Sequence, residues 1–273
     1  MPIIDVHVHT DVGKSLDDFA EQIEIAEQFD AVLVTYAIRP VGDAARFAFP
    51  TAEFCARSND ETYELMQRFP KRVRGFCYVN PYFADAAAAE LEKRLSQQGF
   101  VGLKLWHALP CDDSRVDRLV EICAHYDVPA LQHTWRKAQG LGYGESPPEM
   151  VADLARRHPN ATIIAAHAGG DYEYGAKVFR NTPNVLLDIA GNECNADGVQ
   201  ILVDHVGADR VIFGTDMPGR SFPSQLAKVL GTNLSSVDKE NILYRNMARV
   251  LANCKTANCS TAFRSTAFRR PAQ

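Results

Sequence analysis

At 273 residues, with 46% hydrophobic and 23% charged positions, the chain has the composition of an ordinary globular protein, and α/β barrels of roughly 250 residues occur as single domains. A net charge of −5 gives no electrostatic reason for nucleic-acid binding, and no run of about 18 apolar residues is present to span a membrane. The amino terminus enters a strand at once, so no signal peptide is expected. The seven cysteines (Cys55, Cys77, Cys111, Cys123, Cys194, Cys254 and Cys259) form no C-x-x-C pair, so reduced thiols in a cytoplasm are expected.

The first stretch, Ile3-Ile4-Asp5-Val6-His7-Val8-His9, alternates apolar and polar residues with the period of a strand. An amphipathic helix follows from Ser15 to Phe29, then a buried strand from Ala31 to Ile38. The spacing predicts a helix over Thr51–Phe69, stopped by Pro70, and a strand over Arg72–Val79. Further on come helix Ala84–Gln97, strand Gly99–Trp106, helix Asp112–Tyr126 and strand Val128–His133. Ser146-Pro147-Pro148-Glu149 reads as a serine cap with prolines in the first turn of a helix reaching His158. The remainder alternates strand Ala161–His167, helix Tyr174–Asn181, strand Asn184–Ile189, helix Asp197–Val206, strand Arg210–Thr215 and helix Phe222–Leu230.

Eight strands, each followed by a helix, are the pattern of an α/β protein of the (β/α)8 barrel type. The connections leaving helices are short, whereas Arg39–Pro50 and Thr134–Glu145, which leave strands, are long. That places function at the carboxyl ends of the strands. A last helix, capped by Ser236 or Asp238, runs to Leu251, so the barrel domain is expected over residues 1–253. The extension 254–273, with the repeat Ser-Thr-Ala-Phe-Arg at Ser260 and Ser265, is expected to be a poorly ordered tail.

Residues two apart in a strand share a face, so His7 and His9 stand about 6–7 Å apart and can converge on one ion; two histidines on a half-exposed strand is the plainer alternative. His133 and His167 end the fifth and sixth strands, and His107 follows the fourth. His125, His158 and His205 sit near helix ends and read as structural or solvated. In a closed barrel the eighth strand lies beside the first, which brings Asp216 towards His7 and His9. Three imidazoles and a carboxylate suit zinc, or less selectively manganese or another divalent transition metal, with a position left for water.

Ile4-Asp5-Val6-His7-Val8-His9, Leu131-Gln132-His133-Thr134, Ala166-His167-Ala168-Gly169-Gly170 and Phe213-Gly214-Thr215-Asp216-Met217-Pro218 resemble the amidohydrolase superfamily, most closely its amidohydrolase-2 branch of small metal-dependent hydrolases and decarboxylases. The resemblance implies a TIM barrel of the metallo-dependent hydrolase type with His7, His9, His133 and Asp216 as metal ligands. His167 would polarise the substrate or shuttle protons, and Asp216 would accept a proton from the metal-activated water. Lys104 would bind a substrate anion or make a structural ion pair; a carboxylated lysine bridging two ions is its other reading. Arg39, Arg136 and Arg220 are further anion-binding candidates.

The expected activity is hydrolysis of a C–O or C–N bond (lactone, ester or amide) in a small, cyclic or aromatic acid. A decarboxylase of the same branch is the alternative. A TatD-like nuclease fits less well, because it would carry a glutamate on the fourth strand and Glu-Thr-Asp on the eighth, and a non-catalytic metal-binding barrel is the remaining class. The expected partner is a small-molecule substrate, without nucleic acid or membrane, in a chain that could form homo-oligomers. Tyr36, Arg39, Phe47, Phe49, Trp106, Trp135, Tyr143 and Glu193 are expected to line the pocket by their positions at strand ends.

Overall fold

The computed structural model describes residues 1–12, 19–40, 49–142, 144–191 and 197–257. Its strands are β1 (Ile3–Val12), β2 (Ala31–Pro40), β3 (Val73–Gly75), β4 (Cys77–Tyr78), β5 (Leu103–Leu105), β6 (Ala130–Gln132), β7 (Ile163–Ala165), β8 (Val185–Asp188) and β9 (Val211–Ile212). Between them run α1 (Ala20–Gln28), α2 (Ala52–Arg68), α3 (Ala84–Gln98), α4 (Ser114–His125), α5 (Pro148–Arg157), α6 (Tyr172–Phe179), α7 (Gly198–Val206) and α8 (Phe222–Leu230).

All neighbouring strands pair in parallel, in the orders β1-β2-β3 and β4-β5-β6-β7-β8-β9. The expected third strand is interrupted at Phe76, whose N–H donates to Thr35 O (3.0 Å) while Cys77 N–H donates to Gly102 O (2.8 Å). β3 and β4 are therefore two halves of one barrel strand, the first paired with β2 and the second with β5. On the other side, Val6 N–H donates to Phe213 O (3.1 Å), Asp216 N–H to His7 O (2.8 Å) and His9 N–H to Met217 O (2.7 Å). These bonds carry the segment after β9 along β1 and close the ring of eight.

Strands β3 to β9 are short, mainly apolar runs, such as Ile163-Ile164-Ala165, buried throughout. Burial of both faces, by the barrel interior and by the helices outside, explains why they read as continuous runs rather than as alternations. Longer β1 alternates because its polar side chains meet buried polar partners: Asp5 meets Thr215, His7 meets Asp188 and His9 meets Asp216. Thr51, Asp113 and Asp171 cap their helices through side-chain oxygens.

Two caps differ from expectation. Pro147 rather than Ser146 precedes α5, and the Ser146 hydroxyl instead accepts Cys111 N–H (3.0 Å). The final helix is capped by Ser235, which accepts Asp238 N–H (3.1 Å). That helix comprises α9 (Ser236–Glu240), a wider π-turn over Asn241–Arg245 and α10 (Asn246–Ala252). Within the π-turn, Ile242 O accepts Phe213 N–H (3.1 Å), which ties the end of β9 to the helix. Beyond it, Lys255 N–H donates to Tyr126 O (2.8 Å) and Ala257 N–H to Leu95 O (3.1 Å). The direct repeat and Cys259 lie outside the described residues. The five described cysteines are free thiols, and no described helix is long and apolar enough to cross a membrane.

Candidate metal and substrate site

Asp5, His7 and His9 are stacked along one face of β1, and each is buried. The Asp5 carboxylate accepts the Thr215 hydroxyl (2.7 Å), Thr215 N–H (3.0 Å) and His7 N–H (3.1 Å), so it clamps the first strand to the last. Burial pushes its pKa up to about 8 against those hydrogen bonds. One layer above, His7 Nδ1 lies 2.6 Å from Asp188 Oδ2, while Asp188 Oδ1 accepts Ala190 N–H (2.8 Å). Burial raises Asp188 to about 6 and holds the His7 imidazole well below its ordinary value. A neutral imidazole whose Nδ1–H is given to a carboxylate presents the lone pair of Nε2 outward, the arrangement usual for a metal-ligating histidine.

Asp216 arrives from the far side. Its Oδ1 is 2.9 Å from His9 Nε2 and 3.7 Å from His7 Nε2. Burial alone would raise its pKa, but the His9 hydrogen bond and the surrounding imidazoles outweigh it and hold the carboxyl well below the usual range. Asp216 (φ 66°) and His167 (φ 58°) both have left-handed backbones, a conformation that costs non-glycine residues of order 1–3 kcal/mol. The strain is held by hydrogen bonds: Asp216 N–H to His7 O, and Gly170 N–H to His167 O (2.9 Å). His167 Nδ1 lies 2.9 Å from Ala190 O, and its ring centroid is 4.8 Å from that of His7. Gly191 (φ +66°) lets the chain pass close behind: a Cβ there would lie 2.7 Å from His167 Nδ1 and 3.3 Å from Asp216 Oδ2.

His7, His9 and Asp216 offer three donor atoms within 4.8 Å of one another. His7 Nε2 is buried without a hydrogen-bond partner among the described residues, as suits a group whose lone pair is meant for an ion. The donor set therefore fits a divalent metal. His133 is not in this group but in a second one, with His107 and Glu145. Its ring lies 5.0 Å from that of His167 and 4.6 Å from that of His107. Glu145 is held by Gly142 N–H (2.5 Å) and Lys137, and burial lowers His107 to about 4.

Lys104 lies beneath the cluster, fully buried, with its ammonium 4.6 Å from the Tyr36 ring centroid. Tyr36 in turn packs 4.9 Å from the His9 ring. Burial drags Lys104 down to about 7 although Asp216 and Asp188 oppose it. Trp106 meets His133 edge-on at 6.4 Å, and Trp135 meets His167 edge-on at 5.0 Å. Phe49 instead packs with Tyr82 and Phe83 on the surface. Arg136 stacks on Tyr174 at 3.7 Å, and Arg220 donates to Gly219 O. The backbone of Arg39 pairs with Asp11 at the end of β2, but its side chain, with Phe47, Tyr143 and Glu193, lies outside what is described. His158 bonds Asp117 (2.7 Å) and His205 lies 3.0 Å from Ile201 O, both away from the cluster.

Asp188 is the residue that sequence reasoning passed over; its signal was a lone acid ending the apolar run Val185-Leu186-Leu187. Gly214 leaves room for it, since a Cβ there would fall 2.2 Å from Asp188 Oδ1 and 2.9 Å from His7 Cβ. Gly214→Ala should therefore displace the carboxylate and weaken metal binding about 10- to 100-fold, as loss of a ligand-orienting partner does. Titration against a competing chelator measures this, and unchanged affinity would remove Asp188 from the account.

Three similarities bear on this arrangement. The chain is 23% identical over 261 residues to a gamma-resorcylate decarboxylase from a Polaromonas species, covering 77% of this chain and 78% of that protein. It superposes on 2,6-dihydroxybenzoate decarboxylase from Rhizobium with a TM-score of 0.71 at 17% identity, covering 92% and 98% of the two chains. It also superposes on a dihydroxybenzoic acid decarboxylase from Polaromonas, a structure with bound manganese and the inhibitor 2-nitroresorcinol, with a TM-score of 0.70 at 19% identity over 91% and 96%. The amidohydrolase family profile matches residues 4–252, from the strand that carries His7 and His9 to the last helix, and the chain belongs to that amidohydrolase-2 family.

Proposed function

We propose that the protein is a metal-dependent decarboxylase of a hydroxylated aromatic acid. The observation that carries this reading is Lys104: a fully buried ammonium beside the His–Asp cluster, with no hydrogen-bond acceptor among the described residues. A buried cation is costly unless paired, and burial pulls Lys104 down to about 7; an anion brought by the substrate would hold it charged, and a carboxylate fits. Tyr36, Trp106 and Trp135 supply flat apolar surfaces for a ring. The relatives named above act on dihydroxybenzoates, which favours decarboxylation over the hydrolysis expected from the motifs.

His7, His9 and Asp216 would hold the ion, with His133 joining from the neighbouring group. Manganese, present in one relative, and zinc are the ions to try first. When bound, the metal supplies a Lewis acid that lowers the pKa of a ring hydroxyl. Lys104 holds the carboxylate. With Nδ1–H on Ala190 O, His167 takes the hydroxyl proton at Nε2 and hands it to the ring carbon that bears the carboxylate. Asp216 stabilises the imidazolium while the proton is in transit. The C–C bond then breaks, carbon dioxide leaves, and the bonding electrons return to the ring as a phenolate. One proton moves from oxygen to carbon, and no other reactant is needed.

The test is to incubate the manganese- or zinc-loaded protein with dihydroxybenzoates and, separately, with aryl lactones, esters and amides. Carbon dioxide release from the acids is expected. Hydrolysis of the lactones, esters or amides without carbon dioxide release would overturn the reading in favour of a hydrolase.

A further inference from the structure

Lys228 is a second buried lysine near the site, and none of the chemistry above uses it. It projects from α8 and is 7% exposed. Its ammonium donates to Gly191 O (2.5 Å), to Ile189 O (3.1 Å) and to the Tyr172 hydroxyl (3.2 Å). Tyr172, from α6, donates in turn to Ile189 O (2.6 Å). Both main-chain acceptors belong to the short segment that leaves β8.

The other side of the same segment holds two site histidines by the same ring atom. Asp188 Oδ2 takes His7 Nδ1 (2.6 Å), and the intervening carbonyl, Ala190 O, takes His167 Nδ1 (2.9 Å). Ala190 N–H bonds back to Asp188 Oδ1 (2.8 Å), which makes residues 188–190 one hydrogen-bonded unit. The carbonyls at 189 and 191 are turned to Lys228, and the one at 190 to His167.

We infer that Lys228 is a positioning residue for both histidines. Anchored on Tyr172, the ammonium fixes the carbonyls at 189 and 191 and so sets the direction of the Ala190 carbonyl and the Asp188 carboxylate. Those two acceptors select the Nδ1–H tautomer of His167 and His7 and leave both Nε2 atoms facing the site. Replacing Lys228 by an apolar side chain takes the ammonium away from Gly191 O and leaves Ile189 O to the Tyr172 hydroxyl, and a buried carbonyl that loses its donor is costly. The segment then keeps its amide bonds to Ile212 O and Thr215 O but loses the ammonium that fixes its carbonyls, and the alternative Nε2–H tautomer of His167 becomes accessible.

The inference rests on the site roles given to His7 and His167, but its primary test needs no substrate. Nitrogen-15 NMR of histidine-labelled full-length protein, zinc-loaded and again after chelation, distinguishes protonated from unprotonated ring nitrogens, and a His167→Asn spectrum assigns the His167 signals. The wild type should show His167 protonated at Nδ1 alone. Lys228→Met should show a mixture of His167 tautomers, and on whichever substrate the enzyme turns over kcat should fall about 10- to 100-fold with KM nearly unchanged. Tyr172→Phe, which keeps the lysine and removes one anchor, should shift the same signals by less, and it serves as the test if Lys228→Met does not fold. An unaltered His167 tautomer in a folded variant would overturn the inference. Failure of the dihydroxybenzoate assay would not, because the spectra are independent of it.

Discussion

Asp216→Asn is expected to lower turnover by about 10²–10⁴, the range that acid–base catalysis contributes, because it withdraws the charge that supports the proton-carrying His167, and by more if the ion is lost as well. One side chain carries both roles. Oδ1 meets His9 Nε2 and faces His7 Nε2, so the carboxylate supplies the negative charge of the donor set. Its charge also favours the protonated form of His167, the form that must exist while a proton passes from hydroxyl to ring carbon. Asparagine keeps the shape and loses the charge. Metal analysis of the same samples separates the two roles. Loss of turnover with the ion retained identifies the electrostatic role, and loss of both identifies the ligand. His7→Ala with His9→Ala should empty the site outright, whereas His167→Asn should cost rate and spare the metal. Full activity in metal-loaded Asp216→Asn would mean that the proton path is misassigned.

Lys104→Met should raise KM for a carboxylate substrate steeply. Removing one partner of a buried charge pair costs about 2–5 kcal/mol, roughly 30-fold to several-thousand-fold at 1.4 kcal/mol per tenfold. The effect should fall on KM more than on kcat. As the C–C bond breaks, negative charge drains from the carboxylate into the ring, so the ammonium grips the ground state more tightly than the transition state. Stability should move the opposite way. In the free protein Lys104 has no hydrogen-bond acceptor among the described residues and burial opposes its charge, and a methionine of similar volume removes that desolvation penalty. A higher melting temperature together with a much higher KM would mark a residue kept for binding at a cost to folding. An unchanged KM would leave the buried ammonium without a substrate role.

The linear sequence determined a good deal here. Strand period and helix punctuation alone led to eight strand–helix units. The position of His7, His9, His133, His167 and Asp216 at strand carboxyl ends pointed to one end of one barrel, because a parallel strand closed into a ring can deliver its last side chain nowhere else. The pairing of Asp216 with His7 and His9 followed from closure, since the last strand must lie beside the first. Local hydrogen-bond competition lay beyond its reach. Ser146 has the chemistry of a cap, yet its hydroxyl goes to Cys111 N–H, a residue 35 positions away, and no pattern in the chain records that choice.

What only the tertiary structure decided is which polar groups share a buried space. Asp188 sits 181 positions from the histidine it orients, and Lys228 is 39 and 37 positions from the two carbonyls it holds; composition shows each simply as a charged residue among apolar neighbours. His133 keeps the strand-end position that makes it a candidate ligand beside His7 and His9, and the tertiary structure adds that its donor atom also lies near those of His107 and Glu145. Period and spacing constrain where a side chain leaves the backbone. The partner that it meets depends on burial, which makes each unpaired polar atom costly and so selects the one arrangement that pairs them.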